Sequence, residues 1–287
     1  MTDDAQRSSG WPSRVRRWLS DALFLARRPR ALRELLDGAR RTQELAPTLL
    51  TEWSQRGAEP EGSADAMYLA FENEFYDSEY VAAKQEAYIP VLRQILDLKA
   101  LPRPRALDVG CGRGEFLSLL TDAGFDCVGI EPNAVEQQHL AQAGFDVRLA
   151  QANEFLESVP DGAFSLIVAL QVVEHLDPDY LTRFISLVGK KLLAGGVALL
   201  ETQNPKCIMV PGNFWADVTH RRLYPVETVS FMAAQLGGFT SFRTLYSSPC
   251  PAPYRLGDCL EANYLDYGLI AVKPQQILVS AAEESET

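Results

Sequence analysis

Between residues 105 and 202, short apolar runs alternate with longer stretches in which apolar residues recur every three or four positions. The runs at 105–109, 126–130, 146–150, 164–170 and 197–202 have the length of strands, and 164–170 is apolar enough to be covered on both faces. The stretches at 115–123, 133–143 and 179–193 have helical period and close at Gly124, Gly144 and the Gly195-Gly196 pair. This alternation predicts a parallel sheet with right-handed crossovers. Further on, a helix is expected at 225–236 and strands at 239–246 and 267–272. With no clear helix between them, those last two form an antiparallel pair at one edge. The expected fold class is α/β, a seven-stranded, mostly parallel sheet with helices on both faces.

Upstream the pattern changes. Residues 82–98 read as one helix, and 65–100 carry Tyr68, Phe71, Phe75, Tyr76, Tyr80 and Tyr88. In an open α/β sheet the ligand sits outside the carboxyl ends of the strands, so a helical segment just before the first strand either folds over that crevice or adds aromatics to the core. Residues 1–60 offer Val15, Trp18, Leu19, Ala22 and Leu25 at helical spacing, broken at Pro29, then a second helical stretch ended by Pro47. The expected organisation is a helical N-terminal extension at 1–60, a helical lid at 61–102, the α/β domain at 103–276 and a flexible tail at 277–287.

Charge sharpens the contrast. Residues 1–60 hold 11 arginines, no lysine and 8 acids, a balance of +3, which leaves −14 for residues 61–287. So acidic a main domain opposes nucleic-acid binding, which depends on neutralising phosphates. The Arg-rich helices at 11–45 fit either a membrane surface or partner helix, or packing on the chain's own subunit or a second copy in a homo-oligomer. No apolar run approaches the ~20 residues of a membrane span, and the start lacks a signal-peptide pattern, so a cytoplasmic, or membrane-peripheral, location is expected. The 5 cysteines show no C-x-x-C spacing and imply neither a disulfide framework nor a zinc site.

The chemistry begins at the first strand. It ends in Asp108 and runs into Gly110, Gly112 and Gly114 before a helix, while Glu131 closes the second strand nineteen residues after Gly112. Glycines allow positive φ and close ligand approach, the helix start turns free N–H groups toward the turn, and an acid at that strand end accepts both hydroxyls of a ribose. A dinucleotide fingerprint needs glycine at 115, where Glu115 stands, and Asp108 and Glu115 would repel a pyrophosphate. They suit a cationic ligand. The pattern Asp-x-Gly-x-Gly-x-Gly with a downstream acid resembles that of class I methyltransferases, whose cofactor S-adenosylmethionine carries a sulfonium, an ammonium and a ribose diol. That resemblance implies a Rossmann-like fold, with Asp108, Gly110, Cys111, Gly112, Glu131 and Pro132 around the cofactor. Gln151, Ala152 and Asn153 at the exit of strand three would read the adenine edge, and Leu170 and Gln171 after strand four would hold the methionine end.

Three strand-end segments remain: Gln171-Val172-Val173-Glu174-His175-Leu176, Glu201-Thr202-Gln203-Asn204-Pro205 and Asn213-Phe214-Trp215-Ala216-Asp217-Val218-Thr219-His220. Together with the glycine turn they resemble bacterial methyltransferases encoded with polysaccharide assembly systems, and the methyltransferase domain of kinase-methyltransferases that cap O-polysaccharides. The similarity spans about residues 68 to 245. It implies an O-methyltransferase acting on a saccharide or glycoconjugate, with Asp217 and His220 beside the acceptor. Polar groups interleaved with rings suit a sugar, so Glu174, Asn204, Asn213, Trp215 and Tyr76 are read as acceptor contacts. Two departures stand out: Gln151 replaces the usual aspartate, and Phe75-Tyr76-Asp77 replaces Phe-Arg-Gly. Methyl transfer to a hydroxyl needs a base, and of the 3 histidines His139 falls mid-helix, which leaves His220, oriented by Asp217, and His175 second. No metal residues are assigned: Asp217, His220 and Glu201 could gather a magnesium ion for a sugar diol, but their spacing is not a recognised metal pattern. The alternatives are methylation of a small secondary metabolite and a non-catalytic cofactor-binding scaffold in glycan assembly.

Overall fold

A computed structural model describes residues 64–96 and 104–275. The expected extension at 1–60, its surface at 11–45 and the tail at 277–287 lie outside the described residues. Seven strands form one sheet in the order β3-β2-β1-β4-β5-β7-β6. They are β1 Arg105–Val109, β2 Asp126–Glu131, β3 Val147–Leu149, β4 Phe164–Leu170, β5 Leu192–Gln203, β6 Ser241–Pro249 and β7 Tyr264–Val272. The first five pair in parallel, and β7 runs antiparallel between β5 and β6. The chain therefore reverses its strand order beside β1, and the crevice at the carboxyl ends of β1 and β4 is where such sheets take ligands.

Helices α1 Ala64–Phe75, α2 Ser78–Glu86 and α3 Tyr88–Ile95 precede the sheet. Between strands come α4 Glu115–Asp122, α5 Ala134–Gln142, α6 Ala152–Ser158, α7 Pro178–Lys191, the single turn α8 Val210–Asn213 and α9 Val226–Met232. Two cores result. Leu107, Ile167, Phe184, Val188 and Leu200 fill one face beneath α6, α7 and α9. Tyr88, Leu92, Phe116, Leu120 and Leu166 fill the other beneath α3 and α4. Each fully buried Leu, Ile or Phe stabilises the fold by roughly 1.5–3 kcal/mol. Among the described residues no helix is long and apolar enough to cross a membrane.

Three boundaries differ from expectation. The helix expected at 82–98 is split at Ala87, because Pro90 in the first turn of α3 has no N–H to continue the ladder. Strand β5 begins at Leu192 rather than 197; Gly195, at φ +75°, opens a bulge where Phe164 pairs with Leu192 but Leu166 with Val197. Helix α6 was not expected; Ala152, Leu156 and the partly buried Phe155 and Val159 form its short apolar face.

Candidate active site

The glycine turn is pinned to β2. Gly110 and Cys111 both donate their N–H to the Ile130 carbonyl, at 2.8 and 3.1 Å. Gly112 has φ +50°, a left-handed backbone that favours glycine, and a Cβ built there would meet nothing within 4 Å. Open space beside a bare backbone is what close ligand approach requires. Its N–H donates to Glu131 Oε2 at 2.9 Å, and the Asn133 N–H donates to Oε1, also at 2.9 Å. Both oxygens keep a lone pair for further donors. Burial raises the Glu131 carboxyl to about 6, against the lowering effect of those two N–H groups. Burial, then Glu131 and Glu115, push Asp108 up to about 8. Two buried acids, of which Glu131 raises the pKa of Asp108, form a site that a positively charged ligand would complete. Buried Cys111 has its thiol pushed up by burial, and Pro132 is exposed.

At the exit of β3, exposed Gln151 precedes α6 without capping it, so its amide is free to meet a ligand edge. Ala152 and Asn153 are buried, and Asn153 is engaged elsewhere: its N–H donates to the Tyr180 hydroxyl and its side chain to the Tyr180 carbonyl. After Leu170, Gln171 takes φ +55°, a strained value for a residue with a side chain. It is held there by a buried network. The Gln171 N–H donates to the Glu201 carbonyl at 2.9 Å and its Nε2 to Glu201 Oε1 at 2.9 Å. Lys84 of α2 bridges Glu201 and Asp266 at 2.9 and 3.2 Å, and the Tyr88 hydroxyl donates to Glu201 Oε2 at 2.5 Å. Burial alone would raise the Glu201 carboxyl, but Lys84, Gln171 and Tyr88 outweigh it and hold it below the ordinary range.

A second cluster gathers at the exits of β4 and α8. A 3-10 turn, Val173–His175, brings Glu174 and His175 off β4, and the segment after α8 brings Asp217, Thr219 and His220. The Arg221 and Arg222 N–H groups donate to the Glu174 carbonyl, locking the two segments together. Glu174 is fully buried; Oε2 accepts from the Thr202 hydroxyl at 2.7 Å, Oε1 has no partner, and burial raises the carboxyl to about 8. The His220 ring stacks on Phe214, with Nδ1 2.6 Å from the Phe214 carbonyl and Nε2 3.7 Å from Asp217 Oδ2. A carbonyl only accepts, so Nδ1 carries the proton. Thr219 donates its hydroxyl to Asp217 Oδ1 at 2.6 Å, so it accepts from His175 Nδ1, 2.9 Å away. Both imidazoles are oriented through Nδ1. Burial, then His220, push His175 down to about 4, which keeps it neutral at physiological pH. The ligating atoms of Glu174, His175 and His220 all lie within 4.8 Å of one another.

Helix α1 ties the two sides together. Asp65 accepts from Asn133 Nδ2 and from the Ala134 N–H, both at 2.9 Å, while the Tyr68 hydroxyl donates to Asp217 Oδ2 at 3.2 Å. Arg113 of the glycine turn holds the Tyr76 carbonyl at 2.9 Å. Among the upstream aromatics, Tyr88 joins the core, and Tyr68 reaches Asp217. Other residues sit differently. Asn204 is buried, and its amide donates to the Glu261 and Tyr264 carbonyls. Asn213 and Trp215 are exposed, Trp215 by 66%. Glu201 belongs with Lys84 rather than with Asp217 and His220. Sequence reasoning missed Lys84 and Asp266, whose roles arise only from long-range pairing, and gave Tyr68 and Thr219 no individual role.

Residues 80–242 match a protein family described as a methyltransferase domain. The chain is similar to the ubiquinone biosynthesis O-methyltransferase of Nitrosococcus oceani, at 30% identity over 62% of this chain and 81% of the relative. A ubiquinone biosynthesis O-methyltransferase from Hahella chejuensis shares 27% identity over 61% and 79%. Among solved structures, a SAM dependent methyltransferase from Archaeoglobus fulgidus superposes with a TM-score of 0.63 at 28% identity, over 72% of this chain and 99% of that one. The 1,6-didemethyltoxoflavin-N1-methyltransferase of Burkholderia thailandensis, solved with S-adenosylhomocysteine, shares the fold at a TM-score of 0.50 and 16% identity, over 74% and 88%.

Proposed function

The chain belongs to the methyltransferase-domain family and uses S-adenosylmethionine, and from that premise we propose that it methylates a hydroxyl oxygen on a small, ring-bearing acceptor. The observation that carries this reading is the Asp217–His220 pair set beside His175 at the crevice. A hydroxyl must lose its proton as the new bond forms, and a buried imidazole beside a carboxylate is suited to taking it.

The cofactor supplies a methyl group on a positively charged sulfur. Glu131 accepts the ribose hydroxyls on the lone pairs left by Gly112 and Asn133. Asp108 supplies negative charge near the cationic end, Gln151 meets the adenine edge, and Leu170 with the strained Gln171 positions the methionine end. Helix α1 keeps water from the crevice. His220 Nε2, its ring oriented by the Phe214 carbonyl through Nδ1 rather than by Asp217, takes the hydroxyl proton, and the Asp217 carboxylate 3.7 Å away favours the imidazolium that results.

The relatives named for ubiquinone biosynthesis support an aromatic hydroxyl as the acceptor. A saccharide is the second reading. It is supported by the order of the strand-end motifs, and by exposed Trp215 and Asn213 at the rim, which offer a ring to stack on and an amide to hydrogen-bond. Labelled-methyl transfer to a panel of catechols, phenols and saccharides tests the proposal. Product on a hydroxyl, reduced at least a hundredfold in His220→Ala with unchanged cofactor affinity, is the expected result. Transfer to amines alone, or cofactor binding with no transfer, would refute it.

A further inference from the structure

Glu174, His175 and His220 come from two segments more than forty residues apart, yet their ligating atoms converge within 4.8 Å. Each is oriented from behind. His175 gives its Nδ1–H to Thr219 and His220 gives its own to the Phe214 carbonyl, which leaves both Nε2 atoms unprotonated, that of His220 3.7 Å from Asp217 Oδ2. Histidines that bind metals are fixed in this way, the second ring nitrogen donating to a protein acceptor. Glu174 adds an independent sign. It is 0% exposed, one oxygen is held by Thr202, and Oε1 has no hydrogen-bond partner among the described residues. A buried carboxylate oxygen left unpaired is costly, and a cation satisfies it.

We infer that Glu174, His175 and His220 hold a divalent first-row cation, with two imidazole nitrogens and one carboxylate leaving coordination positions for the acceptor. Two imidazoles favour zinc and other late first-row ions over calcium, magnesium or manganese. Ligands around such an ion sit about 3–3.5 Å apart at metal–ligand distances of about 2.0–2.2 Å, so side-chain rotations of about 1 Å close the site. The inference rests on the hydroxyl-methylation reading and refines it. The cation binds the acceptor oxygen and lowers its pKa; the proton passes to Asp217, the member of the pair that is not a ligand. The oxygen then forms its bond to the methyl carbon as the carbon–sulfur bond breaks, and the electron pair returns to sulfur, leaving a neutral thioether. No oxidant or reductant is needed. The ligand spacing hid this site from sequence reading, because neither segment alone carries a metal pattern.

The test uses the full chain, stripped with chelator and dialysed. Titration with Co²⁺, followed by visible absorbance, and with Zn²⁺, by calorimetry, is expected to show one ion per chain. Glu174→Gln and His175→Ala should each weaken binding at least tenfold, with S-adenosylhomocysteine affinity retained as the sign of an intact fold, while His139→Ala binds as the parent does. Pulsed electron paramagnetic resonance of the Mn²⁺-loaded parent should count two imidazole nitrogens and needs no variant. Absence of stoichiometric binding, unaltered binding in both ligand variants, or fewer than two imidazoles would overturn the site. Hydroxyl methylation undiminished in excess chelator removes the cation and leaves the proposed function standing. A bound cation with no hydroxyl product from any acceptor removes the proposed function and leaves the site.

Discussion

At the scale of single residues, the cofactor side depends on a few atoms around Gly112 and Glu131. Glu131→Gln keeps the size of the side chain but puts an NH₂ where one of two N–H groups now donates, and removes the charge that strengthens hydrogen bonds to a ribose. Charge-assisted bonds of this kind contribute about 1.5–3 kcal/mol. Affinity for S-adenosylhomocysteine should therefore fall about ten- to a hundredfold, measured by calorimetry; an unchanged affinity would remove Glu131 from the ribose role. Gly112→Ala separates strain from occupancy. A left-handed alanine costs roughly 1–2 kcal/mol, and the new methyl meets no protein atom within 4 Å. Only a modest drop in melting temperature is expected, together with a larger loss of cofactor affinity, because the methyl projects into ligand space. Equal losses of stability and affinity would show that strain alone acts there.

At the scale of elements, what the sequence made legible was local. Strand positions, the glycine turn and the acids at the ends of β1 and β2 follow from neighbours in the chain, and all but the start of β5 fell close to their expected places. The antiparallel closing pair was legible too, from the missing crossover helix. Long-range pairings were not. Tyr68 reaches Asp217, Tyr88 reaches Glu201 and Lys84 reaches Asp266 across 149, 113 and 182 positions, and no periodicity records which buried polar groups will meet. Asn204 shows the converse, a polar residue at a strand end whose amide builds a loop. One packing constraint was equally hidden. A Cβ on Gly189 of α7 would stand 2.1 Å from the Gly237 carbonyl oxygen and 2.6 Å from its Cα. Backbone cannot swing aside as a side chain can, so Gly189→Ala should destabilise by about 2–4 kcal/mol in chemical denaturation. The crevice lies at the other end of the strands. At a temperature where the variant is folded, its cofactor affinity should match the parent's, and a selective loss of affinity would contradict this separation.

For the whole molecule, the governing feature is an acidic domain that concentrates buried carboxyl groups beside the ligand crevice. Asp108 is raised to about 8, and Glu136 to about 10 by burial and then Glu72. A carboxyl whose folded pKa exceeds its unfolded value binds more protons in the folded state, so its contribution favours folding below the unfolded value and is lost as pH rises through the folded one. For Asp108 that window runs from about 4 to about 8. Within it, the cofactor-free protein gains stability from this group as pH falls. The bound sulfonium and ammonium favour the ionised carboxylate and pull its pKa down, so at pH 7 uptake of S-adenosylmethionine should expel close to one proton. Affinity should then rise with pH, by up to about tenfold per unit, and level off above about 8. Calorimetry at pH 7 in phosphate and in Tris, buffers of very different ionisation heat, reads the proton directly: the apparent enthalpies should differ by nearly the full difference between the buffers. Asp108→Asn should erase that difference. Identical heats in both buffers for the parent would mean that Asp108 does not answer the charge of the methyl donor, and the electrostatic account of cofactor choice would fail with it.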